Sequence, residues 1–340
     1  MELSERKKRI LAAVVEQYIK TGEPVGSKNL LKVLDMNLSS ATIRNEMAEL
    51  SSMGLLDQPH TSAGRIPTSN GYRYYVDNLM GSQEIDETLR KKIEHAVSGA
   101  GTDPDKLLKK AGEVLADMTN CAAVSTMSVG ENASIRRIET VPVGSHTAMI
   151  ILLTSTGILK SRICRSDSEI STPLLERFYN ITSALVGKSL GEVNITTMQT
   201  LAASMGSDAF SMLPLLAGVT ELADEAAHMD VRLNGQSNLL NYRELEANVY
   251  ELIDFLRRGE PLGHLITNGK SGVNITIGKE NKFPQLENSS VILSRYSVNN
   301  QDGGSLGLIG PTRLDYAKLI PSVKYLTDLV GHILTKALEE

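Results

Sequence analysis

SSATIRNEMAELSSMGLLDQPHTSAGRIPTSNGYRYYVDNLM, residues 39–80, decides the fold of the N-terminal part of this chain. Ser39 or Ser40 can cap a helix that ends at Gly54. At 100° per residue, Ile43, Met47 and Leu50 turn toward a core. The opposite face carries Ala41, Asn45 and Ala48, flanked by Thr42, Arg44 and Glu49. Base edges require such a face: Asn pairs bidentately with adenine, Arg with guanine, and a small Ala permits close approach. Ser39 and Ser40 at the helix start can donate to phosphates, helped by the helix N-terminus. A polar outer face is also what any solvated surface helix presents.

The next residues read as strand, loop, strand: Leu55–Asp57, a Pro-His-Thr-Ser-Ala-Gly tip, then Arg65–Pro67. A hairpin directly behind a recognition helix makes a winged helix. Its tip is free of acids, and His60, Thr61 and Arg65 can lie along a phosphate backbone or enter a minor groove. An ordinary surface turn is the alternative. Thr68 or Ser69 caps a further helix, with Tyr72, Tyr75, Val76 and Leu79 as its buried stripe. Arg73 and Tyr74 then face outward, Arg73 within reach of phosphate.

Upstream, Ser4 caps a helix whose Leu11, Val14, Val15 and Tyr18 form one stripe, and Gly22 ends it. Ser27 caps a short second helix with Leu30, Leu31 and Leu34 on its apolar face. Asp35-Met36-Asn37-Leu38 makes a tight turn, with Asn37 able to take a left-handed conformation. Two helices joined by about four residues have the spacing of a helix-turn-helix.

The whole chain has 340 residues and a net charge of −5, which argues against coating nucleic acid through bulk positive charge. Its distribution is uneven. Residues 1–80 carry ten Lys/Arg against nine Asp/Glu, and the remainder carries 25 against 31. Two cysteines, Cys121 and Cys164, exclude a disulfide scaffold and a four-cysteine zinc site. Ile10–Val15 behind Arg6–Arg9 is too short for a secretion signal, so the N-terminus reads as cytoplasmic. No catalytic constellation is visible. The histidines at 60, 95, 146, 228, 264 and 332 are scattered, and G-x-S-x-G and H-E-x-x-H are absent. Gly269-Lys270-Ser271 lacks the upstream glycine of a phosphate loop, because residue 264 is histidine. The expectation is a protein that is not an enzyme and uses no cofactor or metal.

Three stretches carry a family resemblance: EPVGSKNL (23–30), the 39–80 segment and IGPTRLDY (309–316). In order and spacing the chain resembles the heat-inducible transcription repressor HrcA family, with Leu314 where the family is associated with Met. The resemblance implies a repressor of class I heat-shock chaperone operons. It would bind the CIRCE inverted repeat in double-stranded DNA as a homodimer, and its activity would depend on the chaperonin GroEL. A regulator gated by a small molecule in its C-terminal half is the alternative.

Beyond the head, residues 84–98 read as a connecting helix and Ser98–Gly101 as a linker. Asp103 caps a helix that has Pro104 at its first position. Strand signals follow at Cys121–Val129, Ile135–Val143, His146–Thr154 and Ile158–Arg165, then a helix at Thr172–Val186. Further strands are expected at Asp230–Leu233, Val273–Ile277, Ser290–Ser297 and Ser305–Gly310, with helices at Tyr242–Arg258 and Leu329–Leu338. This is an α+β multidomain pattern with an antiparallel sheet, and the resemblance implies a GAF-like domain here. Gly187–Met229 interrupts the strands with a Met-, Ala- and Leu-rich helical stretch. Its Met198, Leu201, Ala202, Met205, Met212, Leu213 and Leu216 read as exposed apolar content. The resemblance implies a dimerising insertion; packing on its own chain is the alternative. The expected domains are therefore a winged helix-turn-helix (1–82), a connecting helix and linker (83–102), a GAF-like domain in two parts (103–186 and 230–340) and the insertion (187–229).

Overall fold

The computed structural model describes residues 3–35, 38–60, 63–81, 84–101, 103–127, 133–204, 206, 209–228, 230–258 and 272–339. Asn37, Thr61, Met205 and the Gly269-Lys270-Ser271 string lie outside them.

The head begins with α1 (Glu5–Thr21), whose cap Ser4 accepts from the Lys7 amide. Gly22 stops it in a left-handed conformation at φ 70°. Next come α2 (Ser27–Leu30), α3 (Ser40–Ser52), the wing strands β1 (Leu56–Asp57) and β2 (Ile66–Pro67), and α4 (Ser69–Tyr74) with a π-helical turn, Tyr75–Leu79. Ser27 is not the cap of α2; Gly26 holds that place, and Ser27 lies inside the helix. Leu11, Val14, Val15, Leu30, Ile43, Met47, Leu50, Tyr72 and Tyr75 are buried, as their periodicities require. The tyrosines of α4 are thus core residues.

α5 (Glu87–Ser98) starts at Asp86 and α6 (Pro104–Thr119) at Asp103, each cap accepting two backbone amides. A five-stranded antiparallel sheet forms the body, in the order β7 (Asp230–Asn234), β3 (Ala122–Met127), β10 (Gln301–Pro311), β9 (Ser289–Val298), β8 (Val273–Ile277). Side chains on its strands alternate between two cores. Ala123, Ile292 and Leu308 join the large core with α6 and the C-terminal helix α11 (Tyr316–Glu339). Val124, Val291, Leu293 and Ile309 join a smaller one with Leu252, Phe255 and Leu256 of α10 (Val249–Arg257). The large core is continuous with the head.

Strands β4 (Ile135–Gly144), β5 (Thr147–Thr154) and β6 (Leu159–Arg165) make a separate three-stranded sheet. The sequence reading put them with β3, but β3 pairs with β7 and β10 instead. Alternation shows that a strand has one covered face and says nothing about which neighbour it pairs with. Ala148, Ile150 and Leu152 are buried, and α9 (Ala209–Ala227) packs on β5 and β6. α7 (Thr172–Thr182) packs on β4, and α8 (Ile195–Ala203) on α9. The structural insertion thus spans roughly 133–228. Most apolar residues of α9, among them Met212, Leu215, Leu216, Val219 and Leu222, are used on its own chain.

α11 is longer than the expected Leu329–Leu338. Pro321 removes one amide bond from its second turn. The helix continues because Leu319, Val323, Leu326, Val330 and Leu334 form one buried stripe.

Candidate DNA interface

Ser39, the cap of α3, accepts from the Thr42 amide at 3.0 Å, and its hydroxyl also meets Thr42 Oγ1 at 2.9 Å. Ser40 Oγ lies 2.9 Å from Ser27 Oγ, which ties the first turn of α3 to α2 across the turn between them. These hydroxyls first build the helix-turn-helix. Any phosphate contact by Ser39 or Ser40 would use hydrogen-bonding capacity left over from that task.

The inner side of α3 holds Ile43, Met47 and Leu50, and it also holds Glu46, which is buried. Arg6 pairs with Glu46 Oε1. Lys7 Nζ stands 3.2 Å from Glu46 Oε2, an ion pair outside hydrogen-bond alignment, and 2.8 Å from Glu49. The Glu49 bond, and then Glu46, raise the Lys7 pKa; Lys7 in turn holds the Glu49 carboxyl below its ordinary value. Two rows of charge thus anchor the recognition helix to α1. The outer side of α3 is left open: Ala41, Arg44, Asn45 and Ala48 are exposed, and Thr42 is half-buried.

In the wing, Leu56 pairs with Pro67 and Asp57 with Ile66. A third segment supports it. Val25 and Arg65 exchange both backbone bonds at 2.9 Å. At Gly64, a Cβ would lie 2.5 Å from the Val25 carbonyl group, so only glycine lets the wing approach the segment between α1 and α2 this closely. The Arg65 guanidinium donates to Gln58 Oε1, and the Gln58 amide donates to the Ala63 carbonyl at 3.1 Å. Arg65 is therefore half-buried and aimed along the hairpin, with His60 exposed near its tip. Thr61 lies outside the described residues.

Arg73 is placed differently from its sequence reading. Its Nε and Nη2 bond Glu280 in a fork at 2.8 and 2.5 Å, and Nη2 also donates to the Ile275 carbonyl at 2.7 Å. Both acceptors belong to the body, so Arg73 faces inward across the head–body seam. A helical face found from periodicity gives a direction, not what stands in that direction. Conversely, the sequence reading missed Lys28 and Lys32, exposed on and just after α2. The first helix of such a pair crosses the DNA backbone, and two exposed lysines beside the recognition helix were the available signal.

Residues 2–79 match the family described as "Winged helix-turn-helix transcription repressor, HrcA DNA-binding", and residues 105–320 match "HrcA protein C terminal domain". The chain belongs to the HrcA family. The Heat-inducible transcription repressor HrcA of Acetivibrio thermocellus is 33% identical over 96% of this chain and 95% of its own length. The protein of that name from Geobacter sulfurreducens is 35% identical, with 98% of each chain covered. A crystal structure of a hypothetical protein at 2.2 Å resolution superposes with a TM-score of 0.68 at 26% identity, covering 99% of this chain and all of that one. HrcA-family membership makes the chain a heat-inducible transcription repressor with a DNA-binding head, a regulator rather than an enzyme.

Among the described residues of this HrcA-family chain, no His, Cys, Asp and Glu cluster could hold a metal. No described helix is long and apolar enough to cross a membrane. Cys121 and Cys164 are both buried, and burial pushes both thiols up, away from the reactive thiolate.

Proposed function

We propose that this repressor binds a CIRCE-type inverted repeat as a homodimer in the cytoplasm and controls chaperone operons. Its winged helix would place α3 in the major groove, with Thr42, Arg44 and Asn45 nearest the bases. Ser39, Ser40, His60, Thr61 and Arg65 would serve the backbone or minor groove. The observation that carries this is the α3 face: Ala41, Arg44, Asn45 and Ala48 are exposed on a capped helix pinned by ion pairs from behind. Arg73, occupied by Glu280, leaves the set of DNA contacts.

A two-fold repeat read by one head per half-site needs two chains. Support for a homodimer comes from the insertion, although not from the buried stripe of α9. Leu159 and Ile163, on the face of β6 turned away from α9, are 60% and 64% exposed. Apolar side chains exposed together mark interaction surfaces. Deleting Gly187–Met229 would strip the cover from β5 and β6, so Ile163→Lys combined with Leu159→Lys is the cleaner probe of the seam.

Dependence on GroEL is supported by the chain order of the body. Ala122 of β3 pairs with Ile309 of β10, and the whole insertion lies between them. Such long-range closure slows folding and exposes apolar surface on the way. Heat-damaged proteins would compete for the chaperonin, active repressor would fall, and the operons would open.

Footprinting on a chaperone promoter tests the DNA reading: symmetric protection over two half-sites is expected, and protection absent or confined to one half-site refutes it. A small-molecule effector held in the C-terminal half has one observation in its favour, a cavity of about 370 Å³ lined among others by Met127, Ile158, Lys160 and His228. A metabolite panel that shifts operator affinity would favour that reading over chaperonin dependence.

A further inference from the structure

The IGPTRLDY motif lies in the body, yet its Arg313 and Tyr316 side chains meet the head. Arg313 Nη1 donates to the Ile19 carbonyl in the last turn of α1 at 2.9 Å, while its Nε is held by Glu244 at 2.5 Å. A cation at a helix C-terminus meets both unpaired carbonyls and the negative end of the helix dipole. Gly22, which ends α1, sits so close that a Cβ there would lie 3.4 Å from this guanidinium. The Tyr316 ring packs on Tyr72 of α4, centroids 5.9 Å apart, and Tyr316 is itself locked by donating to the Thr312 carbonyl at 2.7 Å. Across the seam, Arg73 forks onto Glu280 and reaches the Ile275 carbonyl of β8. Contacts from two separate helices of the head, α1 through Ile19 and α4 through Tyr72 and Arg73, thus fasten it to the body.

We propose that Glu280, Glu244 and the Arg313–Tyr316 segment form a socket that aims the DNA-binding head, with Arg73 and Arg313 as positioning residues that set which half-site spacing the repressor accepts. The docked head keeps Arg44 and Asn45 exposed, so the socket aims the recognition helix without covering it. This rests on the inverted-repeat reading above. Two heads held rigidly gain from simultaneous engagement only when the DNA presents half-sites at the matching distance and rotation. Loosened heads lose part of that gain and also lose their preference for one spacing.

The test uses the full chain, either wild type or carrying Glu280→Ala or Glu244→Ala, two body residues outside the DNA face. Binding is measured to a CIRCE-type inverted repeat, to the same repeat with its spacer lengthened by five base pairs, and to a single half-site. Five base pairs rotate one half-site by about half a helical turn. Wild type should bind the native spacing strongly and the lengthened one poorly. Each variant should bind the native repeat about tenfold more weakly and discriminate less between spacings, with half-site affinity unchanged. Glu280→Gln, which keeps an acceptor for Arg73, should recover part of the discrimination. Thermal melting shows whether each variant is folded, and either variant alone suffices. If the variants keep the wild-type spacing ratio, bind the native repeat more tightly, or lose half-site affinity in parallel, the socket is refuted while the DNA reading stands. Failure of wild type to bind any of the duplexes refutes the DNA reading and the socket with it.

Discussion

Replacing Gly64 by Ala should unfasten the wing while leaving the rest of the head folded. The added Cβ would lie 2.5 Å from the Val25 carbonyl carbon and oxygen and 2.8 Å from the Pro24 carbonyl carbon. These are backbone atoms and cannot swing aside like a flexible side chain. Relief requires the hairpin to retreat by about 1 Å, given ordinary contact distances near 3.5–4.0 Å. The Val25–Arg65 pair, whose two bonds are both 2.9 Å, cannot survive that movement. Each backbone bond contributes about 1 kcal/mol net, so opening the bridge costs about 2 kcal/mol. Bearing the overlap instead would cost about 1–3 kcal/mol, so the bridge is the more favourable thing to lose whenever the overlap is at the upper end. About 2 kcal/mol corresponds to a roughly thirtyfold loss of protection from hydrogen exchange at the Val25 and Arg65 amides. Exchange measured by NMR reads those two amides directly, with the Ile43 amide in α3 as an unperturbed reference. DNA affinity should drop together with the lost protection, because Arg65 is aimed by the strand that moves. Undiminished protection at both amides in Gly64→Ala would refute the account of the wing.

Other expectations follow from the same geometry. Arg44→Ala or Asn45→Ala should cost about 1–3 kcal/mol of operator binding and relax preference at one position per half-site, read by binding to a panel of operator variants. Arg65→Ala should weaken binding to all sequences alike and lower the salt slope by about one unit, measured by titration at several salt concentrations. Glu46→Ala removes the buried carboxylate behind α3 and should cost about 1–2 kcal/mol in denaturant unfolding, a modest loss because Arg6 is half exposed and Lys7 keeps Glu49. On acidification, Glu49, whose carboxyl Lys7 holds below its ordinary value, contributes stability that is present above its unfolded-state value. That contribution is lost as pH falls through the lower folded-state value. The corresponding Lys7 contribution is lost only at alkaline pH, above the ordinary lysine range. Melting profiles across pH should therefore be flat near neutrality and fall on the acid side, and Lys7→Met should flatten that fall.

The head was legible in sequence because its determinants are local. Ser4 and Ser39 are caps within one turn of the helices they start, Gly22 ends α1 at a left-handed position, and Ile43, Met47 and Leu50 repeat at the helical period. Caps, turns and periodicity act over a few residues, so a single sequence carries them in full. The outward face of α3, with Arg44 and Asn45, followed directly from the same period. What stands opposite each surface was decided only by tertiary structure. Arg73 reads as an outward cation on α4, yet its partner Glu280 is 207 residues away. β4–β6 read as continuing the sheet of β3, yet β3 takes its neighbours from β7 and β10, far along the chain. The Met- and Leu-rich stripe of α9 has the same composition whether it meets a second chain or its own β5 and β6, and the fold chose the latter. Local propensity is a property of the residues themselves, whereas pairing between distant segments depends on which closures together bury the most apolar surface at the least entropic cost, and that balance is settled only when the whole chain has folded.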